Sequence, residues 1–140
     1  MLATSSSRRG FKANAMRDIK ESDWKIFKRV REVALERFCE RVLDEIGRIG
    51  SDATKTKHQR YAAIYRLVCA RDKEINPIFD HLRRSTAVRQ LFAFRYHNLL
   101  TDEELLQFSP ELVKTIKDVH EIYTRPIEIL DEDEEDEDGE

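Results

Sequence analysis

SDWKIFKRVREVALERFCERVLDEIGRIG, residues Ser22–Gly50, decides the fold. Apolar residues recur at Trp24, Phe27, Val30, Ala34, Leu35, Phe38, Val42, Ile46 and Ile49, in steps of three and four that set them on one face of an α-helix. Lys28, Glu32, Arg37, Arg41, Asp44, Glu45 and Arg48 fall largely elsewhere, with Arg41–Glu45 and Asp44–Arg48 at helix-neighbour spacing. Ser22 offers an N-cap oxygen and Asp23 follows at the positive end of the helix dipole. Gly47 and Gly50 supply the expected stop, since glycine enters the left-handed conformation without steric penalty. A long helix with one apolar stripe must bury that stripe against other elements.

Those elements follow in order. Ser51 to Thr56 is a short polar connection, and Tyr61, Ile64, Tyr65, Val68, Cys69 and Asp72 then step along a second helix, antiparallel to the first. Pro77 lacks an N–H and disfavours helix at Asn76, so a break is expected there, with Ile78, Phe79 and Leu82 in a turn or packed loop. Ser85 or Thr86 caps a third helix carrying Val88, Leu91, Phe92, Phe94, Tyr96 and Leu99, apolar on more than one side and expected to be the most buried element. Thr101-Asp102-Glu103-Glu104 reads as a capping box opening a short helix to Gln107. Ser109-Pro110-Glu111 starts the last helix, with proline at the first position, where its missing N–H is harmless. Leu112, Val113, Ile116, Val119, Ile122 and Tyr123 follow before Pro126.

The reading is therefore all-α: a compact single-domain bundle of five or six helices over residues 17–125. Its expected core is Trp24, Phe27, Leu35, Phe38, Val42, Ile64, Tyr65, Val68, Leu91, Phe92, Leu105, Val113 and Ile116. Residues 1–16 read as a disordered arm or non-native extension. They bear Ser and Arg and no acid up to Ala15, and an organellar presequence is a third reading. Residues 126–140 read as a disordered acidic tail. All 25 Lys and Arg lie at or before Arg125 and only 18 of the 28 Asp and Glu do, so residues 1–125 carry +7 and the last fifteen −10. The eight-acid run Asp131–Asp138 repels itself and has nothing to bury.

Several segments, Glu21-Ser22-Asp23-Trp24-Lys25, Ala34-Leu35-Glu36-Arg37-Phe38-Cys39, Arg71-Asp72-Lys73-Glu74-Ile75, Arg83-Arg84-Ser85-Thr86-Ala87 and Leu100-Thr101-Asp102-Glu103-Glu104-Leu105 with Phe108-Ser109-Pro110-Glu111, resemble a family of small bacterial helical proteins with no established activity. The resemblance covers about Arg17 to Val119. It implies a compact helical unit and carries over no catalytic residue.

Searching for chemistry returns mainly exclusions. His58, His81, His97 and His120 include no pair at ligand spacing, neither cysteine has a CxxC partner, and no phosphate loop or nucleophile elbow occurs. No metal, cofactor or catalytic residue is assigned. Cys39 and Cys69 read as small buried hydrophobes in a reducing cytosol. Asp72, Glu74, Asp80 and His81 surround the expected break at Pro77 as a minor catalytic candidate. Arg83 and Arg84 directly before Ser85 and Thr86 form a candidate anion-binding site, where two cations and free helix-start N–H groups converge; the alternative is pairing with acids of a neighbouring helix.

No run approaches the roughly 18 apolar residues of a membrane span, and a cytoplasmic protein is expected. Helices with apolar stripes and no recognisable site suit a protein–protein interaction or regulatory module, with a protein partner or a second copy as ligand. Such a module is expected rather than an enzyme. The alternative is weak, non-specific nucleic-acid binding by the basic body, modulated by the tail as a tethered competitor.

Overall fold

The computed structural model describes residues 19–126. They form five helices and no strand: α1 (Glu21–Gly50), α2 (Lys57–Phe79), α3 (Arg84–Tyr96), α4 (Asp102–Leu105) and α5 (Pro110–Thr124). The all-α class is as expected. The arm over residues 1–16 and the tail after Pro126 lie outside the described residues.

The start of α1 is set by tertiary bonds rather than by Ser22, which lies inside the first turn. Lys20 occupies the N-cap position in extended backbone, with no side-chain cap. Ile19 and Trp24, at the two positions of a hydrophobic staple, are both buried. Asp23, 3% exposed, accepts from the Ser109 amide at 2.8 Å and the Ser109 hydroxyl at 2.6 Å. That carboxylate ties the first turn of α1 to the first turn of α5, where Pro110 follows Ser109 as expected.

α1 also runs through Gly47 without a left-handed residue; no described glycine has positive φ. Ser51 closes it instead, donating from its hydroxyl to the Gly47 carbonyl at 2.8 Å. Thirty residues make a rod of about 45 Å. Thr56 then opens α2 with a capping box, its oxygen accepting from the Gln59 amide at 3.1 Å while Gln59 accepts from the Thr56 amide at 3.0 Å.

The expected break at Pro77 does not occur, and α2 continues to Phe79. In the last turn only one ladder bond is lost to proline, whereas Ile78 and Phe79 are each buried to 6% exposure, and that burial outweighs it. The real reversal comes at His81, with φ 58°, where the buried Gln90 amide holds the turn by donating to the carbonyls of Asp80 and His81. α3 has Arg83 rather than Ser85 or Thr86 at its N-cap, and the Thr86 hydroxyl donates back to the His81 and Arg83 carbonyls at 3.1 Å each.

α3 ends at Tyr96, ahead of Leu99. Asn98 adopts φ 56°, and the bonds Leu99 N–H to Phe94 C=O (2.8 Å) and Asn98 N–H to Arg95 C=O (3.1 Å) form a Schellman motif, with asparagine in the place glycine usually takes. The turn drives Leu99 and Leu100 into the interior. α4 opens with the expected capping box: Thr101 Oγ1 accepts from the Glu104 amide at 3.2 Å and Glu104 accepts from the Thr101 amide at 2.9 Å.

The core gathers the first half of α1, the last turn of α2, and α3 to α5. Its centre is a row of aromatic rings, Trp24, Phe27, Phe94, Phe79 and Phe38, with successive centroids 5.7, 5.8, 5.1 and 6.3 Å apart. α3, with five buried residues in thirteen, is the element most enclosed for its length, as expected. Of the expected core, Trp24, Phe27, Leu91, Leu105, Val113 and Ile116 are buried, while Leu35, Phe38 and Phe92 pack partly buried against them. Val42 and Ile64 are half-buried. Tyr65 and Val68 are not core at all, being 64% and 45% exposed.

Candidate interaction surface

Tyr65 and Val68 are exposed because the C-terminal half of α1 and most of α2 form a two-helix hairpin with no third layer. Within α2, burial begins only at Ile78. One side of α2 rests on α1, where Arg71 reaches Glu45 at 3.0 Å and its own-helix neighbour Glu74 at 2.8 Å, and Arg60 donates to the Gly50 carbonyl at 2.8 Å. The hydrogen bond that Arg71 donates to Glu45, chief among the causes, pushes the Arg71 guanidinium above its usual range. The adjoining flank leaves Tyr61 (71% exposed), Tyr65 and Val68 in water, in steps of four and three. Lys57 and Asp72 continue that line at either end, both exposed and neither in an ion pair among the described residues. The expected burial of both cysteines also fails here: Cys69 is exposed and Cys39 half-buried, both as free thiols.

Part of the body's basic charge is engaged within the chain. Helices end in unpaired carbonyls with partial negative charge, and arginines cover them. Arg31 donates to the Phe79 carbonyl at 2.6 Å, closing α2. Arg41 donates to His97 at 2.9 Å and to Asn98 at 2.5 Å, and Arg37 to Leu99 at 2.9 Å, closing α3. Arg37 also forks onto Glu104. Burial pulls the Glu104 carboxyl upward, but the bonds from Arg37 and Thr101 outweigh it and hold it below the usual carboxylate range. Arg95 pairs with Asp102 at 2.5 Å and donates to the Leu100 carbonyl at 3.3 Å.

At the candidate anion site, Arg84 pairs with Glu21 of α1 at 2.5 Å and lies 5.6 Å from the Trp24 ring centroid. Arg83 and Ser85 are exposed, and the Thr86 hydroxyl is turned to backbone carbonyls. An anion at the start of α3 would compete with the Glu21 carboxylate. Around Pro77 the four candidates are not drawn together: Glu74 is held by Arg71, Asp80 and His81 face the turn with their carbonyls, and Asp72 stands free. No group of three or more His, Cys, Asp or Glu among the described residues is placed to hold a metal ion.

Two hollows remain. One, about 370 Å³, is a shallow apolar depression between α4 and α5, floored by Leu106, Phe108 and Val113 and edged by Lys114 and Lys117. The other, about 150 Å³, is the polar seam where Arg41, Glu45, Arg71 and His97 meet. Neither brings a nucleophile together with a base. Sequence periodicity located the α2 stripe but assigned it to the core, because a repeat of 3.6 marks an apolar face without saying whether anything covers it.

No helix among the described residues is long and apolar enough to cross a membrane. No family model, curated protein or solved structure matches the chain.

Proposed function

We propose that the protein is a helical interaction module whose partner-binding surface is the outer face of the α1–α2 hairpin. The observation that carries this reading is the exposed line Tyr61, Tyr65 and Val68 on a helix otherwise well formed, capped and bridged to its neighbour. Large aromatic side chains with a polar tip combine apolar contact area with a hydrogen-bonding group, and they are enriched at protein interfaces. Binding a second helical surface along this line needs no rearrangement of the core, which lies at the other end of the molecule. Two free thiols, one of them exposed, fit a reducing cytoplasmic setting.

The reading is tested by affinity capture with the full chain and with Tyr61→Asp/Val68→Asp. Partners held by the full chain should be lost by the variant while its helical circular dichroism is kept; undiminished capture contradicts the proposal. Polyanion binding by the basic body has less support, since Arg31, Arg37, Arg41, Arg60, Arg71, Arg84 and Arg95 already serve carbonyls or carboxylates of the same chain.

A further inference from the structure

We infer that the occupant of the α2 face is a second copy of this chain, joined by an antiparallel, two-fold α2–α2 contact. The inference rests on the reading of the hairpin as the binding surface and adds the identity of the partner. Its basis is the register of the exposed line: Lys57, Tyr61, Tyr65, Val68 and Asp72, in steps of four, four, three and four, all exposed and on the flank of α2 beside its contact with α1. A surface that pairs with itself across a two-fold axis must be self-complementary, so that if residue i meets residue j, then j meets i.

This line meets that condition. Lys57 and Asp72 are equidistant from the point between Ile64 and Tyr65, and so are Tyr61 and Val68. Setting two α2 helices antiparallel about that point places Lys57 of each against Asp72 of the other, Tyr61 against Val68 twice, and the two Tyr65 rings side by side at the axis. Charge and shape thus match in one register. Sliding by about one turn still opposes line residues, Tyr65 to Val68 or Tyr61 to Tyr65, but separates both Lys57–Asp72 pairs. A parallel pairing is disfavoured outright, because it stacks Lys57 on Lys57 and Asp72 on Asp72.

The arrangement also suits the fold. Sixteen residues from Lys57 to Asp72 give a contact roughly 24 Å long. Each hairpin supplies two helices, so the pair closes as a four-helix bundle, the layer that the hairpin lacks alone. The two globular ends then lie at opposite ends of the assembly, clear of each other. Lys57 and Asp72 have no intrachain ion-pair partner among the described residues, unlike Arg60 and Arg71, which turn toward α1.

Sedimentation equilibrium of the full chain decides the matter. A dimer is expected. Tyr65→Asp sets two carboxylates face to face at the axis and should weaken it by on the order of 100-fold or more. Lys57→Glu and Asp72→Lys each turn two attractions into repulsions and should weaken it about tenfold. The combined Lys57→Glu/Asp72→Lys chain should return to within about twofold of the original, since the swap preserves every cross-axis pair. The rescue keeps the test decisive even where one variant folds poorly. A chain that stays monomeric at about 100 μM, a dimer unmoved by all three substitutions, or a double swap no better than the singles overturns the inference. A monomeric chain whose affinity capture still depends on Tyr61 and Val68 overturns this dimer alone and leaves the interaction-module reading standing.

Discussion

The two ends of this molecule use the same apolar periodicity for opposite purposes. In α1, the stripe from Trp24 to Ala34 meets α3, the end of α2 and the α4–α5 segment, so Phe27 and Ala34 are fully enclosed. Beyond Glu45 the same rod is in contact with α2, and the side chains there are half-buried or exposed. A helix face becomes core only where at least two other elements close over it, which a pair of helices alone cannot provide. The globular end is organised by side chains that no local pattern announces: the Asp23–Ser109 tie, and the arginines that close the ends of α2 and α3. The hairpin is organised by local devices, the Thr56 capping box and the Arg71 bridges.

This contrast is broken most severely by substitution at the ring stack. Phe27→Ala should cost about 3–5 kcal/mol through lost burial and the cavity left between Trp24 and Phe94. Tyr61→Ala, removing a side chain of similar size from the hairpin, should stay within about 0.5 kcal/mol in the monomer. Urea denaturation of both variants measures the difference; similar losses would erase the distinction between the two ends.

Next in size is the tie between helix starts. Asp23→Ala removes the acceptor for both the Ser109 amide and hydroxyl and should cost about 1–3 kcal/mol, the loss belonging to a buried donor left without a partner. The effect should appear as loosened amides at the starts of α1 and α5 in hydrogen exchange, leaving α2 unchanged.

Glu104 sharpens the comparison through pH. Its carboxyl is held below the usual carboxylate range in the folded chain, so its contribution is fully present above the unfolded-state value and disappears as pH falls through the lower folded-state one. Thermal unfolding of the original chain and Glu104→Gln should therefore differ at neutral pH and converge in acid. A constant gap across that range would contradict the role given to the Arg37–Glu104 pair.

The five helices were legible because their apolar spacing, the Thr101 capping box and Pro110 are local features. Helix ends were less so. Ser22, Ser85 and Thr86 are good cap residues passed over where distant groups do the work, and Pro77 is tolerated because Phe79 has a place in the ring stack. Asn98 takes a left-handed role that glycine usually signals. Tyr65 and Val68 were assigned to the core because nothing in a one-dimensional pattern records a missing third layer. The basic composition of residues 1–125 suggested an outward electrostatic surface, whereas many of its arginines close helix ends.

Gly47 gives the smallest effect. It has no positive φ, and a Cβ there meets nothing within 4 Å, so Gly47→Ala should stabilise the hairpin by about 0.5–1 kcal/mol through helix propensity. A loss of stability would mean that the glycine serves a close contact.

The most direct test of the division into a closed core and a half-covered hairpin is native-state hydrogen exchange on the Tyr65→Asp chain at a concentration where sedimentation gives a monomer. Amides of Leu91 to Phe94 should exchange only through global unfolding, and those of Tyr61 to Arg71 through local opening at least about 2 kcal/mol less costly. Equal protection of the two sets would contradict the account.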